Sequence, residues 1–373
     1  MTKDPLPLFD LARQWPALRE EAHVALERVG AAGAFSLGDE LARFESEFAG
    51  YCGTRHCVGV ANGTVAIELA LRAVGAGPGT EVITVAHTFV ATVEAIAAAA
   101  ATPVLVDIDP VTRCIDPEAV RAVLGERTAA VVPVHLYGHL APIDALQAVC
   151  AGHDVAIIED SAQAHGAQAG GRRAGALATA GAFSFYPTKN LGAMGDAGAV
   201  VTDDDAIAAT VRSLRHHGSV PSDPNRHELN GGTERLDNLQ AALLRLKLRR
   251  LDDENEQRRW AARCYRERLA DLPVDLPPAD PSEGRSVYHL FVIELDDRDA
   301  IRETLRREGI AAGVHYPTPV HLQPAWRDLG RGEGYLPVTE RVARRVLSLP
   351  IFPGIHEGEI ARVCDALRRA LEV

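Results

Sequence analysis

The feature that most constrains the fold of this chain is an alternation of short β-branched runs with alanine-rich helical stretches, from about Cys57 to Thr202. Strands are predicted at 56–60, 81–85, 104–107, 130–135, 155–159, 181–185 and 199–202. Helices are predicted between and after them, at 65–74, 90–100, 117–124, 143–151 and 206–216. Strands and helices in this rhythm form a mostly parallel sheet with helices on its faces, so we expect a three-layer α/β domain.

The pattern changes after Arg235. Residues 236–272 carry interspersed charge and predict one or two long helices, which a proline-rich stretch at 273–285 ends. A strand at 287–295 and helices at 298–308 and 357–371 follow. We therefore predict two domains, a large α/β domain over 1–250 and a smaller C-terminal α+β domain over 251–373.

Composition and charge exclude several classes of protein. The 39 basic and 51 acidic residues give a net charge of -12 without a long Lys/Arg run, which argues against a nucleic-acid partner. The six cysteines are dispersed, so neither a metal site nor a disulfide framework is expected. The longest apolar stretch, 95–106, contains Pro103 and is too short to span a bilayer. We expect a cytoplasmic protein with no membrane partner.

Ligands of α/β sheets collect at the carboxyl ends of the strands, and the first suggestive residues there are Asn62, Gly63 and Thr64. A Gly-Thr turn that opens a helix offers free backbone N–H groups and a hydroxyl to an anion such as phosphate. The alternative is an ordinary helix N-cap at Thr64, which is the commoner use of such a turn.

Asp160 ends an apolar strand in the segment IIEDSAQAHGA. A buried carboxylate at a strand end needs a cationic or hydrogen-bonding partner, because its desolvation is costly. Asp160 could instead cap a helix, with Gln163 in the first turn as its capping-box partner.

Lys189 lies in FSFYPTKNLGAMGDAGA, among aromatic and small residues. Three glycines, Gly192, Gly195 and Gly198, disfavour a helix here and indicate a shaped loop. A lysine in a partly apolar pocket has a lowered pKa and becomes nucleophilic. The alternative is a surface lysine with a buried aliphatic stem.

Phe89 and Ser184 complete the set of candidates. Taken alone, Phe89 would be interpreted as a core residue and Ser184 as a serine hydrogen-bonded to the backbone. Together, the candidates indicate a single ligand. It would carry an anion for Thr64 and Ser184 and a flat ring for Phe89. It would also carry a ring cation for Asp160 and an aldehyde for Lys189. Pyridoxal 5'-phosphate (PLP) carries all four groups.

The same segments resemble a known family. NGTVAIELAL, EVITVAHTFVAT, VVPVHLYG, IIEDSAQAHGA, GAFSFYPTKNLGAMGDAGAVVT, RLDNLQAALLRLKL and HYPTPVHLQPA stand in the order typical of the DegT/DnrJ/EryC1/StrS family of PLP-dependent sugar aminotransferases. The resemblance covers nearly the whole chain, from PLFDLARQ to LSLPIFPGI. It implies the PLP-transferase fold of type I, as in aspartate aminotransferase.

The resemblance also implies catalytic roles. Lys189 would hold PLP covalently and then move a proton between the substrate carbon and the cofactor. Asp160 would pair with the pyridinium nitrogen and keep it protonated. The cofactor would alternate between PLP and pyridoxamine 5'-phosphate.

Further cofactor contacts follow from the resemblance. Gln163 would approach the 3'-oxygen of the ring, and Phe89 would stack on the ring. Gly63, Thr64 and Ser184 would bind the phosphate.

One position departs from the family pattern. The family has an asparagine two residues before the arginine of the RLD segment, where it reaches the phosphate of the neighbouring subunit's cofactor. Thr233 occupies that position here. By resemblance, Thr233 is a cofactor-binding candidate, and we expect a homodimer with shared active sites.

The string SFYPTKNLGAMGDAGAV resembles family members that aminate C-3 of dTDP-linked 3-keto-6-deoxyhexoses. The expected reaction therefore moves an amino group to such a nucleotide sugar, and the hypothesis takes L-glutamate as the amino donor. Four residues lie in segments that border the nucleotide-sugar site in relatives, and each could equally be a packed core residue. They are Tyr186, His315, Tyr316 and His321. Arg215 and Arg235 are candidates for holding the dianionic nucleotide sugar.

Other functions remain open from the sequence. They are C-4 amination, a PLP-binding regulator without turnover, and a sugar dehydratase of the same fold. The dehydratase branch of the family has histidine in place of the lysine, whereas this chain has Lys189. A nicotinamide-dependent oxidoreductase would need G-x-G-x-x-G after the first strand, and residues 61–64 do not provide it.

Overall fold

A computed structural model of the chain describes residues 4–220, 222–280, 284–329 and 331–371. Residues 1–3 of the predicted large domain, residues 372–373 of the predicted small domain, and 281–283 of the predicted proline-rich stretch lie outside the described residues.

A seven-stranded sheet forms the centre of the molecule. Its strands are β1 (His56–Val60), β2 (Glu81–Val85), β3 (Thr102–Val106), β4 (Thr128–Val131), β5 (Ala156–Asp160), β6 (Ala180–Ser184) and β7 (Gly198–Thr202). They lie in the order β1-β7-β6-β5-β4-β2-β3. Strand β7 is antiparallel to both its neighbours, and the other adjacent pairs are parallel. The predicted mostly parallel sheet is confirmed.

The predicted strand at 130–135 is displaced, because β4 spans Thr128–Val131. Pro133 has no N–H to give to a ladder, so regular pairing stops before it. Its carbonyl still accepts a hydrogen bond from the Asp160 N–H at 2.9 Å, and Val134 forms an isolated bridge with Asp160.

Helices cover the sheet. Seven precede or accompany its strands: α1 (Trp15–Ala32), α2 (Asp39–Cys52), α3 (Gly63–Ala73), α4 (Ala91–Ala98), α5 (Pro117–Val123), α6 (Ile143–Cys150) and α7 (Asp205–Leu214). The charged segment after Arg235 forms two helices, α8 (Asn238–Leu248) and α9 (Leu251–Leu269). Within the described ranges, no helix is both long and apolar enough to cross a membrane.

A smaller α+β unit follows. Strand β8 (Phe291–Glu294) pairs antiparallel with β9 (Val346–Leu349). Helices α10 (Arg298–Arg307), α11 (Pro337–Arg345) and α12 (Glu357–Ala370) belong to the same part of the chain. The other short elements are strands at Gln168–Ala169, Arg172–Arg173, Ser219–Val220, Asp223–His227 and Gly284–Arg285, and 3-10 turns at Ala12–Gln14, Leu136–Gly138, Val320–Leu322 and Pro324–Leu329.

The apolar core of this second unit includes Tyr265 of α9, Phe291, Leu305 and Val363. Leu6, near the start of the chain, packs into the same core. Leu251, at the start of α9, packs instead with the core around α2 and α8. Helix α9 thus runs from one core into the other, and a domain boundary at residue 250 stays a prediction.

Candidate active site

The start of α3 meets the end of β6, as the predicted anion site requires. A Cβ atom added at Gly63 would lie 2.5 Å from the Cβ of Ser184, so only glycine allows this approach. The Asn62 side chain caps α3 by accepting a hydrogen bond from the Val65 N–H at 3.0 Å. This corrects the alternative that Thr64 is the cap. Thr64 lies in the first helical turn, beside free N–H groups and the positive end of the helix dipole.

Asp160, the last residue of β5, is buried and directed toward the same edge of the sheet. Its Oδ2 accepts a hydrogen bond from the Thr92 hydroxyl at 2.8 Å, and its Oδ1 accepts one from the Ala162 N–H at 3.2 Å. Burial raises the pKa of the carboxyl, while these two donors and the Lys189 cation act in the opposite direction. The residues directly after Asp160 form turns and not a helix, so the helix-cap alternative, with Gln163 as its box partner, is wrong.

Thr92 was not predicted as a site residue, although its spacing of four residues from Thr88 could have revealed it. The two hydroxyl oxygens are 2.9 Å apart. Because Thr92 gives its hydrogen to Asp160, Thr88 must donate to Thr92. This relay fixes the direction in which the Asp160 carboxylate faces.

Glu159 precedes Asp160 and points to the opposite face of β5, because side chains alternate along a strand. It is fully buried and accepts hydrogen bonds from the N–H groups of Gly175, Leu177 and Ala178 at 2.7–2.9 Å. His135 completes the set with its Nε2 at 2.9 Å. Of these two adjacent carboxylates, Glu159 is fully occupied by the fold, and only Asp160 is available to a ligand.

Lys189 lies in the loop between β6 and β7, at the same edge of the sheet as Asp160. The side chain as a whole keeps some exposure. Desolvation of the amine lowers its pKa from 10.5 to about 8, and the negative charge of Asp160 acts in the opposite direction. Near that pH about half of the amine is neutral and nucleophilic.

Helix α8 holds this loop in shape. Lys247 donates from Nζ to the Gly192 carbonyl at 2.5 Å. Gln240 both donates to the Met194 carbonyl and accepts from its N–H, each at 2.9 Å. The predicted shaped loop is therefore held by side chains that the sequence analysis did not single out.

Asn190, next to the lysine, ties the loop to α9 and to the segment before β8. Its Nδ2 donates to Asn255 Oδ1 at 2.8 Å and to the Val287 carbonyl at 3.0 Å. Its Oδ1 lies 3.2 Å from His289 Nδ1, which must donate. All polar atoms of the Asn190 amide are thereby used, and the position of Lys189 depends on elements on both sides of residue 250.

Gln163, Phe89 and Tyr316 are brought together. Gln163 Oε1 accepts a hydrogen bond from the Tyr137 N–H at 2.7 Å, and its Nε2 lies 3.2 Å from Tyr316 Oη. The rings of Phe89 and Tyr316 lie 5.6 Å apart. Phe89 is 54% exposed, which is unusual for a phenylalanine and leaves the residue accessible to a ligand.

The other predicted residues are placed as follows. His315 shares a hydrogen bond with Ser348 Oγ at 2.8 Å, and burial with the nearby Lys189 charge lowers its pKa to about 4. Tyr186 is exposed on the loop of Lys189. His321 is 2% exposed and lies 3.1 Å from Glu340, which matches a satisfied core histidine better than a substrate ligand.

Thr233 and Arg215 lie beside β1, the edge strand of the sheet. Thr233 is exposed and lies 3.2 Å from His217 Nε2, so its predicted contact with a second subunit stays a prediction. Arg215 is buried, pairs with Glu45 and donates to the Gly59 carbonyl at 2.7 Å. These internal bonds correct the expectation that Arg215 serves a nucleotide sugar. Arg235 remains partly buried at the end of β1.

Known proteins share both this architecture and this sequence. The solved structure of DesV from S. venezuelae, in complex with a ketimine intermediate, superposes with a TM-score of 0.96 at 45% identity and full coverage of both chains. The dTDP-3-amino-3,4,6-trideoxy-alpha-D-glucose transaminase of Streptomyces venezuelae is 46% identical over 368 residues, 98% of this chain and 96% of that protein. The erythromycin biosynthesis sensory transduction protein EryC1 of Saccharopolyspora erythraea is 48% identical over 364 residues, 97% of this chain and 99% of that protein.

The fold is thus that of type I PLP-dependent aminotransferases, and the predicted fold class is confirmed. Residues 16–368 match the profile of the DegT/DnrJ/EryC1/StrS aminotransferase family, and the chain belongs to this family. The predicted enzyme class, aminotransferase, is confirmed with it.

Proposed function

We propose that this protein uses PLP to move an amino group from L-glutamate to C-3 of a dTDP-linked 3-keto-6-deoxyhexose. The observation that carries the proposal is a buried carboxylate, Asp160, that shares one edge of the sheet with a lysine of lowered pKa, Lys189. The name of the Streptomyces venezuelae relative supports an amino sugar carried on dTDP and C-3 as the position of the nitrogen.

The residues present fit the cofactor. Gly63, which admits no Cβ, brings the start of α3 against Ser184 and forms a cradle of the kind that holds phosphate. Asp160 lacks a salt-bridge partner among the described residues and would pair with the protonated ring nitrogen. Phe89 is exposed and would stack on the ring. When bound, PLP supplies an aldehyde and an electron-accepting ring.

The lysine inventory also supports Lys189. The chain has three lysines, Lys3, Lys189 and Lys247. Lys3 lies outside the described residues, and Lys247 gives its ammonium to the Gly192 carbonyl. Lys189 is the described lysine whose amine can react with an aldehyde.

Three side chains would have separate roles in the reaction. With the cofactor bound, Lys189 would hold it through Nζ, with water released as the neutral amine condenses with the aldehyde, and the freed amine would then accept and return a proton at Nζ. Asp160 would keep a proton on the ring nitrogen, which makes the ring electron-withdrawing. Gln163 would donate from its amide to the ring substituent.

We also propose a homodimer in which Thr233 of one subunit approaches the cofactor of the other. Exposed apolar side chains near the start of α8 support an association surface. Phe35 is 55% exposed beside Asn238, whose N–H donates to the Phe35 carbonyl at 3.0 Å. Met194, 45% exposed, is held by Gln240 of the same helix.

The proposal is tested by incubating the PLP-loaded protein with L-glutamate and dTDP-3-keto-6-deoxyglucose and measuring the product mass. We expect the dTDP-amino sugar and 2-oxoglutarate, with the nitrogen at C-3 by NMR. Lys189→Ala should give no product. Cofactor binding without turnover of a panel of 3-keto and 4-keto nucleotide sugars would contradict the proposal and favour a regulator.

The attachment point is tested by borohydride reduction followed by peptide mapping. Because the chain has three lysines, the label has few possible positions. We expect it on the peptide that contains Lys189, and a label on Lys247 would contradict the assignment.

A further inference from the structure

Tyr137 is buried. It belongs to the short turn Leu136–Gly138, which follows β4 and precedes α6 along the chain. Its backbone has φ 61°, a left-handed conformation that is uncommon for a residue other than glycine. It has no part in the chemistry proposed above. Such a conformation persists only where the surroundings hold it, and the contacts of Tyr137 show what holds it.

Tyr137 contacts three segments that carry candidate site residues. Its N–H donates to Gln163 Oε1 at 2.7 Å. Its hydroxyl donates to the carbonyl of His315, the residue before Tyr316. His87, two residues before Phe89, lies 2.8 Å away from the hydroxyl through its Nε2.

The direction of each hydrogen bond can be deduced. The His315 carbonyl can only accept, so the single hydrogen of the Tyr137 hydroxyl is directed to it. His87 must therefore donate from Nε2 to the hydroxyl oxygen. Its Nδ1 has no partner among the described residues, and burial lowers the pKa of the ring to about 3, so His87 is a neutral donor.

The Gln163 amide is oriented by the same residue. With Oε1 occupied by the Tyr137 N–H, the amide nitrogen is directed to Tyr316 Oη at 3.2 Å. One hydrogen of that nitrogen goes to Tyr316, and the other remains for a bound group. Tyr316 in turn pairs with the Phe89 ring.

We infer that Tyr137 is a positioning residue of the cofactor site, which fixes the Gln163 amide and joins the Phe89 loop to the segment of His315 and Tyr316. The inference rests on the proposed function for the identity of the cofactor. The hydrogen bonds themselves are contacts within the protein.

The test compares Tyr137→Phe with a matched control, Tyr265→Phe. Tyr265 is also fully buried, and its hydroxyl likewise donates to a backbone carbonyl, that of Pro350 at 2.8 Å. Both variants lose one buried hydroxyl. We expect a similar drop in melting temperature for both. Only Tyr137→Phe should weaken PLP binding, about fivefold to tenfold in Kd by spectroscopic titration.

Hydrogen–deuterium exchange of the cofactor-free proteins gives a second readout. We expect faster exchange in the peptides over 313–319 and 85–91 for Tyr137→Phe, because the lost hydroxyl contacts His315 and His87, and no change there for Tyr265→Phe. This readout does not depend on PLP, so a failure of the proposed function would appear separately, as a wild-type protein that does not bind PLP. Wild-type exchange in both peptides together with a wild-type Kd would overturn the inference.

A second variant covers the case in which Tyr137→Phe does not fold. His87→Leu removes the donor to the hydroxyl and leaves the two hydrogen bonds that Tyr137 donates. It should shift both readouts in the same direction by a smaller amount. Unchanged readouts in this variant would contradict the proposed link to the Phe89 loop.

Discussion

Two neighbouring carboxylates, Glu159 and Asp160, have opposite environments because they point to opposite faces of β5. Glu159 accepts from three backbone N–H groups and from His135. Among the described residues, the Asp160 carboxylate accepts from Thr92 and Ala162 only. The first carboxylate stabilises the fold, and the second remains available for chemistry.

This difference predicts the effects of two substitutions. In Asp160→Asn, the new amide can donate to Thr92, whose hydroxyl can turn to the Phe89 carbonyl at 3.3 Å, so folding should change little. Loss of the negative charge should lower the rate of transamination roughly 100-fold while some PLP remains bound. Kinetics and cofactor content check this outcome, and an unchanged rate would mean that Asp160 is only structural.

Glu159→Gln should behave in the opposite way. Its NH₂ group would face backbone N–H donors in a fully buried site, so we expect a loss of about 3 kcal/mol in the free energy of unfolding. Urea denaturation measures this loss. Stability equal to that of Asp160→Asn would contradict the division of roles.

The pKa of Lys189 predicts how PLP capture depends on pH. The neutral amine is the reactive form, and its pKa is lowered to about 8. The rate at which the cofactor-free protein captures PLP should rise with pH and level off above about 8. Stopped-flow absorbance measures the rate. A rise that continues toward the ordinary lysine value of 10.5 would contradict the pKa assigned to Lys189.

At the scale of the elements, the approach of α3 to β6 creates the anion cradle. In Gly63→Ala, the new methyl group would meet Ser184 at 2.5 Å and force the helix start away from the strand. We expect the Kd for PLP to rise at least about tenfold, and the Kd for pyridoxal, which lacks the phosphate, to rise less.

The control for this prediction is Gly30→Ala in α1. A Cβ at Gly30 would have no neighbour within 4 Å in the part of the chain that the structure describes, so the change should stabilise the helix by up to about 1 kcal/mol and leave PLP binding unchanged. Equal losses for PLP and pyridoxal in Gly63→Ala would argue against a phosphate cradle.

The elements of the sheet were predictable because their periodicity is local. The bounds of β1 and β2 are those predicted from runs of β-branched residues. Strand β4 was misplaced because the effect of Pro133 on the ladder outweighed the apolar run. Helices α1 and α2 were not predicted. Their buried faces are set by packing on α8, which lies far away in the sequence.

The candidate site was predictable to the extent that parallel strands end at one edge of a sheet. Asp160, Ser184 and the start of α3 therefore lie together as expected. The supporting contacts were not predictable, because they join distant segments. The hydrogen bond from Tyr137 to His315, for example, spans 178 residues of sequence.

At the scale of the whole molecule, the proposed dimer predicts a particle of twice 40.0 kDa by sedimentation equilibrium. Phe35→Glu places a charge in the exposed apolar patch beside α8 and should weaken the dimer, with loss of activity on dilution. Val111→Glu, at another highly exposed apolar side chain, should leave the mass unchanged. A fully active monomer would contradict shared active sites.

The most direct test of the central claim is the visible absorption spectrum of the purified protein with PLP, recorded before and after an excess of L-glutamate. We predict a yellow protein that bleaches when glutamate is added, because Lys189 would release the cofactor when the cofactor takes up the amino group. The Lys189→Ala variant should not show this loss of yellow colour on addition of glutamate. A protein that stays colourless with PLP, or a yellow protein that no amino acid bleaches, would contradict the assignment of aminotransferase chemistry to this site.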